Sequence, residues 1–535
     1  MPLQDDLVGA REPAVVLVGA DGEDVVNGDL EWYLNQSFPN DSPVGPDKHY
    51  GGFTSANQVV LQKHADGVAR LATLVAERLT NSGGRLKRTV GECAVGASDD
   101  ACLTAFIRSF GRRALRRPVT DEDVAFYRQP AVAVPYTAED YADVITLLMS
   151  APESLFLVEH GDESVTAAVA PLTPHELASR LSFHFWQTTP DEALLASADS
   201  GELGTEAGFA AQVDRLFKHE RTRASVGLFF DEWLRNTTLQ SPDGLIGNAR
   251  FDKLRGDYTP VKETRDRMWS EVTDAALYYT FDKPGTFDSF FRSTRSFART
   301  PDVAQLYGVP VWDGVSEPPE APGRAGLITR PALVATGSAG SRIIMKGVFI
   351  RKNLLCDKLG DPPANAGSSP PAEPFAPDDT DRVHIDKLTG SGSCAGCHTA
   401  LINDLGFATQ NFDSLGRLRT SELLLDGDGK ELAPPAAIDT SAMPHIAGPT
   451  DETTVANAQE LVSLMADSPK LDACFARTYF RYTFGRSEDP GTKDKPGADS
   501  CALAHIEKSL RQGSDLATVL RSVALHPSFK SRSFQ

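Results

Sequence analysis

Two cysteines three positions apart, followed at once by a histidine, constrain this chain more than any other stretch: it reads Cys394-Ala-Gly-Cys397-His398. Thiols at that spacing share one helical turn and reach the two vinyl groups of a single porphyrin. The next residue, His398, then lies under the iron and offers an imidazole nitrogen as an axial ligand. Zinc would need two further thiol or imidazole ligands at close spacing, and none follows nearby. The expected cofactor is one covalent haem c, with Cys394 and Cys397 as tethers and His398 as metal ligand.

The other cysteines bear on the compartment. The chain has seven. Cys93 and Cys102 face each other across a short loop, and Cys474 and Cys501 flank a loop rich in Gly, Pro and Asp. Two local disulfides, Cys93–Cys102 and Cys474–Cys501, are the expectation, leaving Cys356 unpaired. Disulfides persist outside the cytoplasm, where c-type haem is also normally attached. A periplasmic or extracellular protein is therefore expected. The start, MPLQDDLVGAREP, has no basic segment followed by an apolar core, so an exported chain would begin after a removed signal or lipid anchor. No apolar run approaches the length of a membrane span. The formal net charge of −20 argues against nucleic acid or an anionic membrane as partner. It fits a soluble protein, or one that docks a redox partner with a basic face; a small-molecule substrate is the other partner expected.

Most of the chain reads as helix. Ala14–Val18 has the pattern of a short strand, and an apolar stripe through Val59, Leu61, Val68, Leu71, Leu74 and Val75 opens the first helix. Helix starts recur with clear chemistry: Thr120 before Asp123, Thr137 before Asp140, Thr173-Pro174-His175-Glu176, and Thr189-Pro190-Asp191-Glu192. In these boxes Thr accepts from the third helical amide, Pro fits the first position, and the acidic residue answers back. Aromatic clusters at Phe229, Phe230 and Trp233, at Met268, Trp269 and Tyr279, and at Phe475, Tyr479 and Tyr482 read as core. A Pro-rich stretch from Asp361 to Asp379 reads as an extended linker. Asp426-Gly-Asp428-Gly429 lacks the remaining ligands of a calcium loop and reads as a polar turn. No phosphate-binding loop, dinucleotide fingerprint or G-x-S-x-G is present.

The stretch GSCAGCHTALINDLGFATQNFDSLGR resembles the planctomycete-type cytochrome C proteins, large exported chains that also occur in myxobacteria. Asn403, Gly406, Phe407, Asn411, Phe412, Asp413, Gly416 and Arg417 match the family pattern. So do RRALRRPVTDED, LMSAPESLFLVEHG, LTPHELASRLSFHFWQTTPDEALL, GVFIRKNLLCDKLGDPP and CFARTYFRYTFGR. The resemblance implies a mainly helical fold around one c-haem domain and no settled reaction. Two positions depart from the pattern. Asp404 stands where the family usually has Pro, close to where a backbone carbonyl often orients the proximal imidazole. Leu388 stands where relatives commonly carry His; His384, one turn earlier, is the candidate substitute.

These readings give a mainly α, multi-domain helical protein enclosing one small cytochrome c-like haem domain. The expected segments are an irregular stretch at 1–60, helical domains at 61–165 and 166–356, a Pro-rich linker at 357–381, the haem domain at 382–450, and a C-terminal helical domain at 451–535. The sixth iron position decides between functions. Met443, in the loop DTSAMPHIAGP, is the best-placed ligand by spacing, and His445 in the same loop is the alternative. Met345 and His184 would reach the haem only through domain packing, and His184 reads as a core histidine. A capped iron favours an exported monohaem electron carrier. An open one favours a haem peroxidase or oxygenase, for which the length of the helical part argues. A structural haem in a secreted assembly is the third reading.

Overall fold

The computed structural model describes residues 62–162, 169–235, 238–360, 371, 373–492 and 495–533, with two short strands at Pro43–Val44 and His49–Tyr50. The candidate strand Ala14–Val18, the start of the Val59 stripe, and Asp361–Pro370 of the Pro-rich stretch lie outside these residues. The chain is mainly helical, as the pattern predicted, and the described strands are two or three residues long. No helix among the described residues is long and apolar enough to cross a membrane.

The described residues form two compact units, one of residues 62–225 and 524–533, the other chiefly of 226–523. In the first, helix Gln62–Thr80 lies along Ala138–Met149, burying Leu71 and Val75 of the predicted stripe. Thr120, Thr137 and Thr173 each close a reciprocal capping box, with Asp123, Asp140 and Glu176. At the fourth start the cap is Asp191, whose carboxylate accepts from the Leu194 amide 2.9 Å away, so the helix begins at Glu192 and not after Thr189. The Asp191 carboxylate caps the third amide of its helix and also binds Arg215 at 2.7 Å. Strand Val169–Pro171 pairs antiparallel with Ser531–Ser533. Cys93 and Cys102 are bonded as expected. His184 is buried against Phe185 and Phe529, and desolvation pushes its imidazole down to about 3, so it stays neutral at physiological pH.

The second unit is built on an aromatic core in which Phe230 and Trp233 meet Phe290, Phe287 and Phe475. Elsewhere in this unit Arg330 and Glu271, 2 % and 1 % exposed, form an ion pair at 2.5 Å. The second disulfide differs from the expectation: Cys356 bonds Cys474, and Cys501 is free and exposed. Helix Pro469–Phe484 buries Cys474 on the face that meets the π-helical turn Ile350–Leu354, so Cys356 arrives with its Cα 5.2 Å away. Proximity in sequence favoured Cys501, but helix packing selects the partner.

Candidate functional site

The haem motif occupies helix Gly392–Cys397, and His398 opens a π-helical turn to Ile402 that runs into helix Asn403–Phe407. Such wide turns are frequent where a side chain must be aimed at a ligand. Cys394 is half-buried and Cys397 exposed, and neither is in a disulfide. His398 is half-buried, with Nδ1 3.3 Å from Oδ1 of Asn403. Asn403 is buried and donates in turn to the Thr389 hydroxyl at 2.9 Å, which donates to the Ile385 carbonyl at 2.7 Å. A Nδ1–H held by an amide oxygen leaves the Nε2 lone pair for a metal and fixes the ring orientation. The expected backbone carbonyl is thus replaced by the side chain of Asn403, one residue before the departure at Asp404. Asn403 was visible in the sequence as a pattern match, but not in this role.

A second helix is locked against this one. Ile343–Phe349 packs on Asn403–Phe407 with almost no side chain between them. A Cβ at Gly347 would sit 2.0 Å from the Ile402 carbonyl oxygen, and one at Gly406 would sit 2.4 Å from that of Ile343. Backbone contact of that kind needs glycine at both positions. Met345 on this helix is exposed, as are Val383 and Leu388 on helix Asp381–Thr389, which meets both neighbours. Apolar side chains left in solvent beside free thiols and an oriented imidazole fit a flat apolar group such as a porphyrin. His384 is not drawn into this set; its ring stacks on Phe375 at 3.9 Å.

The loop carrying Met443 and His445 is held against the same helices. Asp404 accepts from the Met443 amide at 2.5 Å. Burial holds the Asp404 carboxyl above the usual carboxylate range, opposed by that amide and by Arg382. Arg351, fully buried, donates to the carbonyls of Leu401 at 2.8 Å, Pro444 at 2.6 Å and His445 at 3.0 Å. Met443 is half-buried, and Nδ1 of His445 is buried without a hydrogen-bond partner. The structure therefore brings the loop of both candidate sixth ligands against the segment that follows His398, while His184 belongs to the other unit. The pattern residues downstream are structural: Asp413 accepts from Leu415, Arg417 and the Arg417 guanidinium, which binds the carbonyls of Leu254 and Arg255. Asp426 accepts from the amides of Asp428 and Lys430, closing the predicted polar turn on itself.

A family model described as PSD4, protein of unknown function (DUF1592), matches residues 172–309. A second, described as PSCyt3, protein of unknown function (DUF1588), matches residues 324–422 and so contains the haem motif. These stretches belong to the planctomycete cytochrome C domain families. No curated protein and no solved structure matches the chain. The buried Arg330–Glu271 pair joins one matched stretch to the other, since Glu271 lies in the first and Arg330 in the second.

Lys346, inside the second match, escaped sequence reading, although a lysine on the otherwise apolar face of IIMKGVF was the available signal. Its Nζ is buried without a hydrogen-bond partner, and desolvation pushes the amine down to about 7. Because the folded value lies below the unfolded one, the unfolded chain binds more protons between about pH 7 and the ordinary lysine value. Stability from this group therefore rises with pH across that window, and the full cost of burying the cation is present below it. Lys346→Met is expected to stabilise the protein by roughly 2–4 kcal/mol at pH 6, with the gain shrinking by roughly 2 kcal/mol at pH 9. Urea unfolding of both proteins at the two pH values checks this, and a gain independent of pH would contradict it.

Proposed function

We propose that the chain is an exported c-type cytochrome with one covalent haem, passing single electrons to and from a redox partner. The proposed haem domain is residues 382–450, with Cys394 and Cys397 as thioether tethers and His398 as proximal ligand through Nε2. The observation that carries the reading is the pairing of two free thiols with an imidazole whose Nδ1 is already engaged by Asn403. When bound, the haem supplies a one-electron iron couple. Asn403 and Thr389 hold the His398 ring and raise its basicity. Met443 is proposed as the sixth ligand, which would raise the potential, its loop held by Asp404 and Arg351. His445 is the second reading, favoured by its buried Nδ1 without a partner. The disulfides Cys93–Cys102 and Cys356–Cys474 support export.

Expression in cells competent for c-type haem maturation tests this. The wild type is expected to carry the mass increment of one porphyrin, and Cys394→Ser/Cys397→Ser to lack it; a colourless wild type of unmodified mass overturns the proposal. The ferric spectrum is expected to show the weak long-wavelength band of iron–thioether bonding, lost in Met443→Ala. A low-spin spectrum without that band, turning high-spin in His445→Ala, would transfer the ligand role to His445. A high-spin wild type that shifts with cyanide would replace electron transfer by chemistry at an open iron.

A further inference from the structure

We propose that Arg351 is a positioning residue that fixes the loop of the sixth ligand against the haem-motif helix and so sets the axial geometry. The inference rests on the cytochrome reading above and adds to it the device that holds the two ligand-bearing segments in register. Arg351 lies in the π-helical turn Ile350–Leu354, directly after the glycine-packed helix. Its side chain is 0 % exposed. Nε reaches the Leu401 carbonyl, three residues past His398, at 2.8 Å. Nη2 and Nη1 reach the carbonyls of Pro444 and His445, on the residues that follow Met443, at 2.6 and 3.0 Å. One planar fork thus bridges the segment behind the proximal histidine and the loop of both sixth-ligand candidates.

The charge is itself held in place. Nη1 also pairs with Asp357 at 3.1 Å, and Asp357 takes Lys470 at 2.7 Å from helix Pro469–Phe484. Cys356, next to Asp357, is bonded to Cys474 on that same helix. The fork is therefore anchored covalently and electrostatically before it contacts the loop. The loop needs such an anchor, because His445 sits at φ 49°, a left-handed conformation that a non-glycine residue keeps only when its surroundings fix it. Asp404 grips the same loop through the Met443 amide. Lysine cannot replace the fork, since an ammonium presents a point charge and not three donors in one plane.

Hydrogen exchange and spectroscopy on the haem-loaded full chain test the proposal. Arg351→Lys keeps the charge and is expected to speed exchange of the Ala442, Met443, His445 and Ile446 amides at least tenfold. It should also weaken or abolish the axial-ligand band and shift the reduction potential, with the porphyrin mass increment unchanged. Asp404→Ala, which removes no buried cation, keeps the test decisive where Arg351→Lys fails to fold, and it should move the same readouts in the same direction. Full rescue by lysine, or unchanged exchange and band in both folded variants, would overturn the assignment. Should the wild type carry no porphyrin, the cytochrome reading falls, while exchange in the unloaded chain still reports whether Arg351 holds the loop.

Discussion

A Cys356→Ser/Cys474→Ser variant is expected to unfold about 5 kcal/mol more easily than the wild type, from the loop entropy that its cross-link removes. The two cysteines lie 118 residues apart in sequence. The loop they close contains Cys394, Cys397, His398, Asn403, Asp404 and the Met443 loop, while Arg351 lies just before its first end. Cys93–Cys102, with a separation of 9, closes a far shorter loop and should contribute about 2 kcal/mol less. Urea unfolding of both serine variants against the oxidised wild type measures the difference. Equal losses would mean that the long bridge acts through local packing and not through the unfolded chain. Loss of the long bridge should also loosen Arg351, whose partner Asp357 follows Cys356 directly.

What the sequence disclosed and what it hid divide along a physical line. Local chemistry was legible: the threonine caps at Thr120, Thr137 and Thr173 need only four consecutive residues of information, and the CAGCH motif five. The short bridge Cys93–Cys102 is local in the same sense. The long bridge was not legible, because its choice of Cys356 over Cys501 depends on which face of Pro469–Phe484 turns inward. Asn403 shows the intermediate case. Its presence was plain, but whether the amide or a carbonyl would orient His398 depended on the π-helical turn between them. Arg351 gave no local signal, and Lys346 gave only the apolar face of IIMKGVF around it. A cation in an amphipathic stretch reads as surface, and only the packed helices reveal that one is satisfied by three carbonyls while the other has none.

Glu271→Gln is expected to destabilise the second unit by about 3–5 kcal/mol, because it strands the Arg330 guanidinium in the interior without its counter-ion. The glutamine retains an acceptor for the Phe297 amide, which the carboxylate now binds at 2.9 Å, so the loss reports charge and not a missing backbone partner. Arg330 also lies over the Phe297 ring, 5.3 Å from its centroid, and its side chain is only 2 % exposed. Arg330→Met alone should cost a similar amount by leaving the carboxylate unpaired. The double variant Glu271→Gln/Arg330→Met should recover most of it, within about 1–2 kcal/mol of the wild type, since the desolvation penalties of both charges vanish together while the Phe297 amide keeps its acceptor. Chemical unfolding of the four proteins gives the coupling energy directly. Additive losses in the double variant would show that the two groups act separately. A large favourable coupling would show that the pair joins the two matched stretches as one unit, with Glu271 from the first and Arg330 from the stretch that carries the haem motif.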